Sequence, residues 1–187
     1  MMHPSADERD QLASLLIERS LRRGDFVLAS GARSDYYIDA RTTTMAGRGQ
    51  YLIGRVGLAT LDQQNWQPDV IGGLTLGADP VAYAIAHAAA AQGRTLDAFT
   101  VRKQPKGHGA GRRIEGGFRE GMSVVVCEDT ITTGGSALNA VDAVQEAGGT
   151  VIGVLALVDR EEGGRGTIEA RGLPVVSLFT ARALLDR

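Results

Sequence analysis

The chain has 187 residues, 43% of them hydrophobic and 22% charged, with a formal net charge of -2. That is one ordinary globular domain, or one domain with a small appendage, and the slightly acidic balance argues against a coat for nucleic acid, which needs a broad basic face. No apolar run approaches the ~20 residues of a membrane-spanning helix, the opening MMHPSADERD is unlike a secretory signal, and one cysteine, Cys127, rules out a disulfide framework, so a cytoplasmic protein with no membrane and no nucleic-acid partner is expected.

Residues 7–23 carry apolar positions at Leu12, Leu15, Leu16 and Ile17, a helical spacing that predicts a helix ending at Gly24. Two short extended segments follow, around Phe26-Leu28 and Tyr36-Ile38, with Ser30 and Gly31 in the turn between them. A second helix is predicted over residues 50–61. From there the rhythm is strand, loop, helix. DVIGG reads as a buried strand and GLTLGADP as a loop, with Asp79 as N-cap, Pro80 at the first helical position and Gly93 after the last turn. LDAFTVR is a strand, residues 103–120 a long Gly-rich loop, and SVVVCED another strand. A helix over residues 136–147 stops at Gly148-Gly149, TVIGVLALVDR is the next strand, and LPVVSLF leads into a terminal helix. β-Branched runs alternating with helices predict an α/β fold, a parallel sheet covered by helices on both faces. Residues 1–60 do not share that alternation and read as an N-terminal helix and small hood, with residues 61–187 as the core.

The segment SVVVCEDTITTGGSALNAV holds the strongest chemical signal. A hydrophobic strand ends in two carboxylates, Glu128 and Asp129, followed by small hydroxyl residues, glycines and a helix start. Ligands of open α/β sheets bind at the carboxyl ends of strands, and a helix N-terminus with free amides is a phosphate site. Gly134 and Gly135 let the backbone approach an anion, while Thr132, Thr133 and Ser136 add hydroxyl donors. Two acids beside a phosphate cradle would repel a bare phosphate, but they can grip the 2'- and 3'-hydroxyls of a ribose or a bridging magnesium ion. The motif therefore suits a sugar carrying a 5'-phosphate. A capped helix after a tight turn needs neither the paired carboxylates nor three hydroxyls, and no nucleoside-triphosphate or dinucleotide Gly-rich signature is present.

The cations are distributed unevenly. The chain uses arginine almost everywhere, yet its two lysines, Lys103 and Lys106, both fall within VRKQPKGHGAGRR, interleaved with glycines and His108. Lysine is the compact, flexible point charge of the pair. Cys127, inside an apolar strand, reads as a small buried hydrophobe, and no Cys/His spacing suggests zinc.

Glu128-Asp129-Thr130-Ile131-Thr132-Thr133-Gly134-Gly135-Ser136 resembles the motif with which type I phosphoribosyltransferases bind phosphoribosyl pyrophosphate (PRPP). Arg102-Lys103-x-x-Lys106-x-His108-Gly109, followed by Ile114-Glu115-Gly116, resembles the mobile catalytic loop of the orotate phosphoribosyltransferases. The resemblance runs from about Phe26 to Arg160 and implies a type I phosphoribosyltransferase fold with a lid at 103–120. It also implies transfer of the 5-phosphoribosyl group from PRPP to orotate, giving orotidine 5'-monophosphate and pyrophosphate in de novo pyrimidine biosynthesis. On that resemblance Arg102, Lys103, Lys106 and His108 are the catalytic residues, neutralising the departing pyrophosphate. Residues Glu128 to Ser136 bind PRPP, and Arg160 pairs with the orotate carboxylate while Thr132 and Tyr37 contact the base. Magnesium is held mainly through PRPP, with Asp129 as a candidate ligand, and a homodimer shares the lid between subunits. Two positions depart from the pattern: many members carry lysine where this chain has Ala29, and a Tyr-Lys pair where it has Leu76-Gly77. The competing readings are a purine phosphoribosyltransferase, which shares the 128–136 motif without the lid, and a non-catalytic nucleotide sensor on the same fold.

Overall fold

The computed structural model describes residues 6–27, 31, 33–104 and 113–187. Its core is a six-stranded sheet in the order β5-β4-β3-β6-β7-β8. The strands are β3 (Val70–Leu74), β4 (Asp97–Val101), β5 (Ile114–Gly116), β6 (Ser123–Ile131), β7 (Thr150–Asp159) and β8 (Val175–Thr180). All neighbours pair in parallel except β5, which runs antiparallel to β4 at one edge. The region 103–120, expected to be a loop throughout, therefore returns as a strand at residue 114. The intervening residues 105–112 lie outside the described part.

Because successive strand residues face opposite sides, an uninterrupted apolar strand must be covered twice. Val125, Cys127, Leu155 and Leu157 pack into one cluster with α1 (Ala6–Arg19), α3 (Gly47–Gln63) and α4 (Ala78–Ala90). Val124, Val126, Val154 and Ala156 face the other way, onto α5 (Gly135–Glu146) and α6 (Gly164–Glu169). Leu12, Leu16, Leu52 and Ile53 of α1 and α3 share their cluster with Ile71 of β3, so the N-terminal helices help to cover the sheet. The hood is the separate antiparallel hairpin of β1 (Leu21–Val27) and β2 (Arg33–Ile38). A short α2 (Arg41–Thr44) and a terminal α7 (Ala181–Leu185) complete the fold.

Several details differ from the sequence reading. The first helix stops at Arg19 rather than continuing to Gly24, because Leu21 pairs with Ile38 and both are buried, so the hairpin claims the residues after Ser20. Asp79 is not the N-cap of α4. Gly77 holds that place, and Asp79 sits in the first turn, buried, accepting hydrogen bonds from Thr75 Oγ1 (2.7 Å) and Thr100 Oγ1 (2.8 Å). Two short helices, α2 and α6, had no predicted counterpart.

From β3 the chain moves outward to β4 on one side, then continues through β6, β7 and β8 on the other. The strand order reverses between β3 and β6. In open parallel sheets the crevice beyond that point is where ligands bind.

Candidate active site

A cleft of about 320 Å³ opens at the carboxyl ends of β3 and β6, at the lower end of the size range of ligand pockets. One wall is residues 37–41 from the hood, the other residues 74–77 after β3, and residues 128–130 with Ser136 lie beneath. Lys103 and Arg160 also line the cleft, contributed by the chain just beyond β4 and β7.

Glu128 is 4% exposed, and its Oε1 has no hydrogen-bond partner. Burial, and secondarily the Asp129 charge, push its carboxyl up to about 8. Burial likewise raises Asp129, opposed by the Thr130 amide, which donates to Oδ1 at 2.8 Å, and by the Arg41 charge. In the ligand-free cleft Glu128 is thus largely protonated at neutral pH, and the pair carries less than two full negative charges. An anionic sugar phosphate meets less repulsion than two ionised acids would produce.

The following loop supplies an anion cradle. Gly134 adopts φ +85°, and no side chain caps the first turn of α5. Thr133, Gly135 and Ser136 are exposed and Thr132 half-buried, so amides and hydroxyls face outward together. The cradle is braced from behind by α6: the Gly164 amide donates to the Thr132 carbonyl at 2.8 Å. A Cβ on Gly164 would stand 2.4 Å from that oxygen and 2.6 Å from the Gly134 nitrogen, so only glycine permits the approach.

Arg160 is 8% exposed, stacks on Tyr36 with 5.4 Å to the ring centroid, and has Nη2 2.8 Å from Glu162 Oε1. That contact satisfies the distance of an ion pair but not the angle of a hydrogen bond, so Nε and Nη2 both retain donor capacity in a buried place. Tyr37, 38% exposed, packs its ring 5.7 Å from that of Phe26 and borders the cleft. Cys127 is fully buried, and burial pushes its thiol up, which leaves it a packing residue.

The expected site residues converge in part. Glu128, Asp129, Thr130, Ser136, Lys103, Arg160 and Tyr37 border one cleft. Ile131 instead points into the core, Arg102 lies 3.5 Å from Glu115 on β5 and is not among the cleft residues, and Lys106, His108 and Ala29 fall outside the described residues. Leu76 and Gly77 stand on the wall, Leu76 exposed and Gly77 against the Asp129 carboxylate. Sequence reasoning gave Asp39, Arg41 and Gly164 no role at the site. The available signals were an Asp-x-Arg pair directly after the second hood strand and the Gly163-Gly164 pair after β7.

Residues 53–171 match the family model of the phosphoribosyl transferase domain. The orotate phosphoribosyltransferase of Aquifex aeolicus is 50% identical over 95% of this chain and 98% of its own length. The chain belongs to the orotate phosphoribosyltransferase family. The enzyme of that name from Mycobacterium avium is 51% identical over 92% of this chain and 93% of the relative. The Mycobacterium tuberculosis orotate phosphoribosyltransferase, solved in complex with PRPP, superposes with a TM-score of 0.81 at 45% identity, covering 95% of this chain and 98% of that one. An adenine phosphoribosyltransferase from Leishmania donovani shares the fold at a TM-score of 0.64 and 16% identity.

Proposed function

We infer that the protein is an orotate phosphoribosyltransferase, transferring the 5-phosphoribosyl group of PRPP to orotate and yielding orotidine 5'-monophosphate and pyrophosphate for pyrimidine biosynthesis. The observation that carries this reading is one cleft bordered by Glu128, Asp129, Thr130 and Ser136 together with the buried Arg160 guanidinium, whose Nε has no hydrogen-bond partner, in a chain about half identical to enzymes of that name.

The roles follow from the chemistry at each position. The open amides of α5 with Thr132, Thr133 and Ser136 receive the 5'-phosphate, and Glu128 and Asp129 hold the ribose hydroxyls. As the bond from C1' to pyrophosphate breaks, negative charge grows on the departing oxygens while the sugar becomes oxocarbenium-like. Lys103, joined by Arg102, Lys106 and His108 of a closing lid, neutralises that charge where it develops and keeps water from C1'. Arg160 receives the orotate carboxylate in a charge-assisted pair, and Tyr37 and Thr132 flank the base. Among the described residues no group of three or more His, Cys, Asp or Glu side chains gathers to cage a metal. Magnesium would be held mainly by PRPP oxygens, with Asp129 as a candidate protein contact, and would supply charge neutralisation on the pyrophosphate.

This reading includes cytoplasmic location and a homodimer whose lids complete the opposite clefts. No described helix is long and apolar enough to cross a membrane. The support for a second copy is an exposed aromatic face on α3 and α4: Tyr51 is 51% and Tyr83 50% exposed, and the Tyr83 hydroxyl lies 2.9 Å from Thr100 Oγ1 on the strand leading to Lys103. Incubation with PRPP, magnesium and orotate, uracil, adenine or hypoxanthine tests the activity. Pyrophosphate release with orotate alone is expected. Release with a purine, or none with orotate, overturns the reading.

A further inference from the structure

With Glu128 largely protonated, the described residues of the cleft set Asp39 and Asp129 against Arg41, Lys103 and Arg160, only a small excess of positive charge. That is a poor match for a ligand with several negative charges unless particular cations are directed at it. Arg160 is buried, stacked on Tyr36 and beside Glu162, so it is committed to the acceptor side. Lys103 stands at the end of β4. The remaining cation is Arg41, whose place just beyond the hood hairpin puts it on the wall facing residues 74–77.

Two observations define what Arg41 can do. Its guanidinium is held by Asp39, with Nε 2.8 Å from Oδ1 and Nη2 3.2 Å from Oδ2, and its amide also donates to Oδ1 at 3.2 Å. Among the described residues Asp39 is the guanidinium's only hydrogen-bond partner, so Nη1 and a second hydrogen of Nη2 remain available from a side chain whose orientation is already set. Its charge also reaches Asp129, lowering that carboxyl against the effect of burial. Gly77 lies against the same carboxylate, since a Cβ there would stand 2.6 Å from Asp129 Oδ1. Asp129 thus places Arg41 and the 74–77 loop around one corner of the cleft, whereas the Thr132–Ser136 cradle starts from the opposite end of that segment.

We propose that Arg41, oriented by Asp39, is a binding residue for the pyrophosphate of PRPP, acting with the backbone of residues 74–77 on the group that leaves rather than on the 5'-phosphate. A planar guanidinium offers two parallel donors to a phosphoryl group. The chain has Leu76-Gly77 on the opposite wall, so the cation comes from the hood instead. This assignment rests on the orotate phosphoribosyltransferase reading and adds a residue to it.

The test is calorimetric titration of the whole protein, wild type and Arg41→Ala, with PRPP, pyrophosphate, ribose 5-phosphate and orotidine 5'-monophosphate, magnesium present throughout. Loss of charge-assisted hydrogen bonds should weaken PRPP and pyrophosphate by about ten- to a hundredfold. Ribose 5-phosphate and orotidine 5'-monophosphate, which lack the pyrophosphate, should change less than about threefold, and Arg41→Lys should recover part of the loss. Unchanged pyrophosphate affinity overturns the proposal, as does an equal loss for all four ligands, which marks a general field or packing effect. Selective loss of ribose 5-phosphate would move Arg41 to the other phosphate and also refute it. Wild-type protein that binds none of the four overturns the underlying reading itself, an outcome separable from failure of the Arg41 variant alone.

Discussion

Two glycines separated by one residue in α6 should behave in opposite ways. Gly164 faces the anion cradle, where a Cβ would lie 2.4 Å from the Thr132 carbonyl oxygen, 2.6 Å from the Gly134 nitrogen and 2.6 Å from Ile131 Cγ2. Two of those atoms are backbone and cannot rotate away, so Gly164→Ala must push α6 from the loop or the loop into the cleft. The hydrogen bond from the Gly164 amide to Thr132 lengthens in either case. Overpacking of this kind typically costs about 1–3 kcal/mol. In a protein of this size that is a fall of roughly 2–10 °C in Tm. Gly166, in contrast, has nothing within 4 Å of a built Cβ and ordinary helical backbone. Gly166→Ala should leave Tm unchanged or raise it slightly, since replacing glycine where the backbone allows it gains about 0.4–1 kcal/mol. Thermal denaturation gives the stability arm, and initial rates against PRPP and orotate give the functional arm. Because the displaced loop carries Thr132, Thr133 and Ser136, KM for PRPP should rise several-fold while KM for orotate moves less. Equal Tm values for the two variants, or an unaltered KM for PRPP in Gly164→Ala, would refute the claim that α6 braces the cradle.

Other perturbations address separate groups. Arg160→Ala should weaken orotate binding by at least about thirtyfold while PRPP affinity holds, because it leaves a carboxylate unpaired in a buried place; equilibrium dialysis showing equal losses for both would remove Arg160 from acceptor recognition. Glu128, raised from an ordinary 4.5 to about 8, makes a contribution to ligand-free stability that is full below pH 4.5, declines as pH rises and is gone above about 8. Denaturant unfolding at a series of pH values should thus show wild type losing several kcal/mol relative to Glu128→Gln across that window, and parallel profiles would deny the shift. For the shared-site homodimer, mixing nearly inactive Lys103→Ala and Asp129→Asn subunits after mild dissociation should restore about a quarter of wild-type activity, since half the dimers are mixed and half their sites intact. Mixtures no more active than their parents, despite demonstrated exchange, would place each lid over its own cleft.

The central strands were legible because burial on both faces leaves an unmistakable trace in the sequence. Val124, Val125, Val126 and Cys127 are all fully buried, two toward each helical layer, and no amphipathic element tolerates such a run. The loop after β6 was legible as a loop leading into a helix, because small hydroxyl residues and glycines follow the strand's two acids directly. What escaped notice was held by distant partners. The six residues of α6 include two glycines, poor helix formers. They are fixed instead by Arg165, which reaches Asp159 Oδ2 (3.0 Å), the Val175 carbonyl (2.6 Å) and Ser177 Oγ (3.0 Å) across β7 and β8. Asp79 was misplaced because an acid before proline looks like a cap, whereas two threonines distant in sequence or across a loop draw its carboxylate inward.

Asp79 also illustrates how the fold delivers the site as a unit. Its two oxygens tie Thr75, on the loop forming one wall of the cleft, to Thr100, two residues before Arg102 and three before Lys103. A carboxylate 9% exposed that accepts two hydroxyls is a fixed strut, because leaving either bond unmade in a buried place costs about 1–3 kcal/mol. The position of Lys103 relative to the 74–77 wall is therefore set inside the domain. PRPP carries more negative charge than the described residues of the cleft offset. Arg41, at the start of α2 just beyond the hood hairpin and held by Asp39, lies on the wall that the six-stranded sheet does not provide. Under the Arg41 proposal, the segment directly after the hairpin adds a third cation to the Lys103 and Arg160 that the sheet ends bring to the cleft.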